Sequence, residues 1–395
     1  MKTVAFLCAL PLLLAGCMTT QRTEPAPASV AVVFDGGTAT PVIVEGLANR
    51  DTGRAVEAND PVRVASISKL VMALATLRLV DQDVVDLDTD VSEYLGWVRH
   101  PAFPDAKVTL AQLLMHRSAL CDDAGYVIPL GESLQDKLAQ PEAWYADAPP
   151  GEAPFEYANL GSPLVATVLE AASAERYDRL LEREVFAPLG VTACLNWIGC
   201  DEEMVARAVT LYRSTGAIAR DDPSDVPPNC TIPVAEGRDC DLSDYVPGSN
   251  ASIFSPQGGV RIGMLDLAKI GQAILDKDGA FLSPESHRLL RQNVTPIEGN
   301  SPNFCFYGLA VHRLHPGMDG CNDTLFPDAV KRIGHAGEAY GLRSGLWIDS
   351  EGGTGLAYFT TAVPDRTSPD EGGFAAEEIA LVRRAMERET QSGGE

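Results

Sequence analysis

The stretch Val64-Ala65-Ser66-Ile67-Ser68-Lys69-Leu70 opens an apolar run that continues to Val80. From Leu70 to Leu77 only Thr76 is polar, so a helix formed here has no solvent face and belongs inside a large core. Ser66 and Lys69 stand at its start. Residues three apart share one face of a helix, which makes the Ser66 hydroxyl and the Lys69 amine neighbours. A lysine held there loses water, and desolvation lowers an amine's pKa toward one able to accept a proton. Helix N-terminal amides add positive potential, which favours an alkoxide forming on Ser66. By itself the spacing is a weak motif. Its position, opening an apolar helix after a strand-like segment, is what turns it into a candidate nucleophile with a proton acceptor beside it.

Upstream, Met1 to Gly16 carries one charge, Lys2, then an apolar run ending Leu14-Ala15-Gly16-Cys17. Small residues immediately before a cysteine are the pattern of a lipoprotein signal peptide over 1–16, with Cys17 the lipidated N-terminus. Residues 17–27 are polar and proline-bearing, a tether too poor in apolar residues to fold. Met18 rather than Asp follows the cysteine and resembles the outer-membrane address of bacterial lipoproteins, so the expected place is the cell envelope, lipid-anchored and facing the periplasm. The formal charge of −24 disfavours nucleic acid and anionic lipid faces as partners; the lipid on Cys17, not a basic patch, would hold the chain at a membrane.

Nine cysteines include Cys8 in the leader and Cys17 at the anchor. Three sequence-near pairs are plausible in an oxidising compartment: Cys194 with Cys200, Cys230 with Cys240 and Cys305 with Cys321, leaving Cys121. Neither Cys-x-x-Cys nor paired histidine spacing accompanies them, so no metal is expected. Asp86, Asp88 and Asp90 alternate like the start of a calcium loop, but Val91 stands where glycine is required; a solvated turn is the better account.

Val30 to Phe34 and Val42 to Val44 predict a hairpin through Asp35-Gly36-Gly37. Lys331 to Gly334, Leu342 to Ile348 and Thr354 to Val363 predict three closing strands, and Phe374 to Arg388 an amphipathic last helix. Between them lie helical stretches at 110–115, 164–172, 177–186 and 265–275, with loop composition at 214–250 and 295–327. In the loop Phe155-Glu156-Tyr157-Ala158-Asn159-Leu160, Tyr157 and Asn159 can aim at one cavity, ahead of a helix that Ser162 could cap. His335-Ala336-Gly337 sits beside the first closing strand. Gly337 would let a substrate lie against backbone, and the Glu338 amide could point into the same cavity. His116 reads as a hydrogen-bonded structural histidine.

Ser66-x-x-Lys69, Tyr157-x-Asn159 and His335-x-Gly337, in that order, resemble the serine β-lactamase and penicillin-binding-protein superfamily, and most closely its class C β-lactamase branch with its esterases and D-peptidases. Leu113 to Leu120 is similar to that branch's Leu-Leu-x-His-x-Ser-Gly-Leu segment, and Phe186-Ala187-Pro188-Leu189-Gly190 to its Phe-x-Pro-Leu-Gly turn. The resemblance covers about residues 28–390. It implies an α/β (α+β) fold: a five-stranded antiparallel sheet flanked by helices, from about 28–80 and 325–390, with an all-α lobe between. It implies Ser66 as acylated nucleophile, Lys69 as proton acceptor or electrostatic partner, and Tyr157 as general base and acid, its phenolate favoured by Lys69. Asn159 would hold the substrate amide or orient Lys69, and the Ser66 and Glu338 amides would form an oxyanion hole.

Two departures bear on substrate. Ala336 replaces the hydroxyl residue that helps bind a β-lactam carboxylate, and His335 replaces the lysine beside it, with a charge that would depend on pH. The pattern looks more like the D-aminopeptidases and carboxylesterases of the branch, which points to esters or D-amino-acid amides and peptides. A β-lactamase or D-Ala-D-Ala carboxypeptidase is the nearest alternative; a catalytically silent module binding peptidoglycan peptides is the alternative of another class. The expected partner is a small-molecule or peptide substrate, with no cofactor. No Gly-x-Ser-x-Gly elbow, His-Glu-x-x-His, Walker loop or Gly-x-Gly-x-x-Gly occurs, which argues against α/β-hydrolase, zinc-protease and nucleotide readings.

Overall fold

The computed structural model describes residues 26–222, 226, 230–276, 279–292, 294–297, 305–365 and 373–392. The leader and Cys17 lie outside them. The central sheet contains β1 (Ser29–Asp35), β2 (Ala39–Glu45), β3 (Val294–Pro296), β4 (Phe306–Gly308), β5 (His312–Leu314), β6 (Arg332–Ala339), β7 (Leu342–Asp349) and β8 (Thr354–Thr360), in the order β3-β4-β5-β6-β7-β8-β1-β2 with every pairing antiparallel. The five expected strands are contiguous within it. The three extra strands fall where composition indicates loop, because three residues are too few for a period of two to show. β6 also runs further than expected and takes in His335, Ala336 and Gly337.

Alternation along the strands sends their side chains to two cores. Val30, Val32 and Phe34 of β1, with Leu346 and Phe359, face helix α4 (Met264–Leu275). Ala31, Ile43, Trp347 and Tyr358 face Leu381, Val382 and Ala385 of the closing helix α5 (Ala376–Ser392). Gly271 sets the first spacing, since a Cβ there would collide with the Phe34 ring.

The serine helix, α1 (Ile67–Asp81), crosses the larger core and touches both β6 and the helical lobe's α3 (Gly161–Ser173). Every residue from Ile67 to Leu77 is buried, as an all-apolar helix requires. Thr76 discharges its hydroxyl locally by donating to Met72 O at 2.9 Å. Leu74 has no exposed surface, and truncating it to alanine would cost about 2–5 kcal/mol.

The short helix α2 (Leu110–Leu114) starts at a capping box made by Thr109 and Gln112. The Cys194–Cys200, Cys230–Cys240 and Cys305–Cys321 disulfides are formed and Cys121 is free. Asp86 holds a turn by accepting from Asp88 N and Thr89 Oγ1. Among the described residues, no helix is long and apolar enough to cross a membrane.

Candidate active site

Between Asp60 and Leu77 Ser66 alone is not fully buried. It sits where the chain turns into α1, preceded by Ala65 in the left-handed region at φ 47°, a strained position for a side chain bearing Cβ. That turn is over-determined from both sides. Val64 N donates to Val260 O at 3.1 Å, Ser344 Oγ donates to Val64 O at 3.0 Å, and Val260 N donates to Ser68 Oγ at 3.1 Å. Gly337 lets β6 pass close by, because a Cβ there would collide with Val64 O and Ser344 Oγ. The hydroxyl is thereby fixed at one end of a cavity of about 850 Å³, which Tyr157, Asn159, His335, Gly337 and Glu338 also line.

Lys69 is 1% exposed. Its Nζ donates to Asn159 Oδ1 at 2.8 Å, to Ser66 Oγ at 3.3 Å and to Gln257 O at 3.3 Å, with no carboxylate in direct contact among the described residues. Burial lowers its pKa to about 7, against a smaller opposing pull from Asp122. A neutral amine beside the hydroxyl is thus present at ordinary pH.

Tyr157 shares a hydrogen bond with Ser66, and Lys69 Nζ lies 4.6 Å from the centre of its ring. Burial raises the phenol above its usual pKa by more than the Ser66 hydrogen bond lowers it. The expectation of a phenolate favoured by Lys69 is therefore not met: the Lys69 amine stands over the ring face, and burial keeps the resting group a phenol.

His335 is also corrected. It is 1% exposed, and burial next to Lys69 lowers its pKa to about 3, so its charge does not vary over the neutral range. Nδ1 faces Ala336 O at 2.6 Å and Nε2 faces Tyr307 Oη at 2.8 Å. These partners fix the neutral tautomer with the proton on Nδ1, leaving Nε2 to accept from Tyr307. Glu338 turns its carboxylate to Arg343 at 2.8 Å. β5 pairs with β6 only as far as Gly334, so the β6 edge at residues 335–339 has no strand on its far side among the described residues and borders the cavity.

The beta-lactamase family model matches residues 20–381. The chain belongs to the beta-lactamase family. It is 25% identical over 273 residues to "Penicillin-binding protein 4" of Amycolatopsis lactamdurans, covering 68% of this chain and 65% of that protein. It is 32% identical over 182 residues to "Esterase EstB" of Burkholderia gladioli, covering 42% of this chain and 46% of that one. Both matches span less than two thirds of the relative's length. In fold it is similar to the D-amino acid amidase of Ochrobactrum anthropi SV3, with a TM-score of 0.66 at 18% identity over 93% of this chain and 95% of that one.

Within this beta-lactamase-family site the sequence missed Asp122. Its Oδ2 accepts from Asn159 N at 3.0 Å and Asn159 Nδ2 at 2.9 Å, while its Oδ1 accepts from Leu160 N at 2.9 Å. It therefore does for α3 what was expected of Ser162, which makes no cap. Fixing Nδ2 forces Oδ1 of Asn159 toward Lys69. No local pattern marks Asp122, since its partners lie 37 and 38 residues ahead.

Tyr307 was missed for the same reason. His116 is buried, with its ring 4.4 Å from Tyr157, 5.1 Å from Tyr307 and 5.8 Å from Phe155. Ala119, where the branch usually has glycine, takes φ 61°, the conformation glycine adopts freely.

Proposed function

We propose that this chain is a serine hydrolase working through an acyl-enzyme at Ser66, on esters or on D-amino-acid amides and peptides. The observation that carries the proposal is Lys69, buried, discharged near neutrality and 3.3 Å from the Ser66 hydroxyl. In acylation Ser66 Oγ attacks the substrate carbonyl and its proton passes to neutral Lys69. The bond from carbonyl carbon to leaving group breaks, and the Tyr157 phenol gives its proton to the departing oxygen or nitrogen. Tyr157 then recovers a proton from the Lys69 ammonium. Water repeats the sequence against the ester and frees Ser66.

The Ser66 and Glu338 amides fit the role of oxyanion donors, since both residues border the cavity and, among the described residues, the neighbouring strand's pairing with β6 stops at Gly334. Asn159, locked by Asp122, is a positioning residue for Lys69. Neutral His335 and hydroxyl-free Ala336 offer a β-lactam carboxylate neither charge nor donor. That favours ester or D-amide substrates, in keeping with the esterase and D-amino acid amidase among its likenesses. Incubating the protein with a p-nitrophenyl ester and with a penicillin tests this. Ester turnover with little penicillin reaction, both absent in Ser66→Ala, supports it; rapid penicillin hydrolysis restores the β-lactamase alternative.

Lipidation of Cys17 would place the enzyme at the envelope, on the outer membrane facing the periplasm. Labelling with a fatty-acid analogue, lost in Cys17→Ser, tests that anchor.

A further inference from the structure

The cavity continues past Ser66 to a wall that the chemistry above does not use. Arg63 enters it from the short strand Val62–Arg63, and Arg213 and Arg220 from around the hairpin formed by Leu211–Tyr212 and Ile218–Arg220. All three surround Tyr340, whose ring centre lies 5.3 Å from the Arg63 guanidinium carbon, 5.8 Å from that of Arg213 and 5.9 Å from that of Arg220.

The carboxylates nearby do not match this charge. Asp221 is ion-paired with a fourth arginine, Arg261, at 2.8 Å and is shared electrostatically with Arg63, and the exposed Asp365 pairs with Arg213 at 2.8 Å. Arg63, 6% exposed, donates only to neutral acceptors, Gly258 O at 2.6 Å and Asn196 Oδ1 at 3.2 Å, and its Nε has no partner. Arg220 meets no carboxylate among the described residues. Among the described residues these four guanidinium groups thus meet two carboxylates, a local surplus of positive charge in a chain whose net charge is −24.

An arginine does not shed its proton to relieve burial as a lysine does, so uncompensated guanidinium groups keep their charge and lack a counter-ion. Their placement beside the nucleophile is direct. Gly258, whose carbonyl holds Arg63, lies alongside Ala65, with an added Cβ falling 3.7 Å from it.

We propose that Arg220, with Arg63 and Arg213 behind it, forms an anion subsite that receives a carboxylate carried by the substrate at a distance from its scissile bond. The proposal rests on the acyl-enzyme reading and narrows its substrate class to acidic esters or amides. Recognition of negative charge then lies at the arginine wall instead of at His335 and Ala336. The overall negative charge repels anions in general, so the local surplus gives selection where it matters.

Mono-p-nitrophenyl esters of glutarate, adipate and suberate, each paired with its methyl-capped diester, test this on the full chain. The expected result is a kcat/KM preference of about tenfold or more for the free acid at the best length, carried mainly by KM and shrinking as salt is raised. The ratio falls toward one in Arg220→Gln, recovers in part in Arg220→Lys, and keeps its wild-type value in Arg288→Gln, which makes the same charge change at an exposed site elsewhere. No preference at any length, or one that survives Arg220→Gln, overturns the subsite.

Calorimetric titration of Ser66→Ala with monomethyl adipate separates the two claims. Binding weakened about tenfold by adding Arg220→Gln upholds the subsite even if turnover is absent and the acyl-enzyme reading falls. Absence of binding, or binding indifferent to Arg220, overturns the subsite even if the esters turn over.

Discussion

The two ends of the cavity answer burial in opposite ways. At the catalytic end it discharges Lys69, with a pKa of about 7, and His335, with a pKa of about 3. At the other end Arg63 is as deeply enclosed, yet burial beside Arg261 brings it only to about 9, and it stays cationic at neutral pH. Residue type decides the outcome. The same loss of water makes a base of an amine, a fixed donor–acceptor of an imidazole and an unanswered charge of a guanidinium.

Making the first end behave like the second gives the largest effect. Lys69→Arg puts a group that cannot accept a proton beside Ser66, and acylation by a p-nitrophenyl ester should fall by roughly 10²–10⁴ in stopped-flow bursts. A rate near wild type would remove Lys69 from the proton transfer.

Acid reaches the discharged imidazoles next. His335 and His312 both have folded pKa values of about 3 against 6.5 unfolded, so the unfolded chain binds more protons between these limits. Their contribution is intact above 6.5 and is lost as pH falls toward 3, on the order of a few kcal/mol each. Glu170 and Glu378, raised to about 7 by burial, act oppositely between 4.5 and 7, where the folded state holds the extra proton. Urea unfolding should therefore show the steepest loss below pH 4.5, and His335→Asn should flatten it.

Asp122→Ala removes the acceptor for three donors around Asn159. It should cost about 1–3 kcal/mol in the same assay and slow acylation, since Asn159 is freed to turn away from Lys69. Tyr307→Phe is the mildest change. It removes one hydrogen bond to His335 and should cost about 1 kcal/mol, read as a modest fall in Tm with acylation preserved.

How much of this the sequence showed follows from range. α1 was legible because its whole apolar pattern lies within one helix, and the Ser66–Lys69 contact because three residues separate them. The β1–β2 hairpin and the run β6-β7-β8 were legible for the same reason, as was each near cysteine pair. Asp122, Tyr307 and the arginine wall were not. Each acts on partners far along the chain, and Arg63, Arg213 and Arg220 meet around Tyr340 only once the sheet has closed. Residues 295–327 concealed β3, β4 and β5 because strands so short carry no periodicity of their own. The charge on His335 was misjudged because a histidine's pKa depends on burial, which no motif encodes.

The most direct test of the account is the rate of acyl-adduct formation on Ser66 as a function of pH, followed by intact-protein mass with a p-nitrophenyl ester and with Ser66→Ala as the blank. An adduct is expected only on the Ser66 protein, forming at a rate that rises with pH through a single midpoint near 7 as Lys69 loses its proton. An adduct that persists in Ser66→Ala, or a midpoint near an ordinary lysine's value, would contradict it.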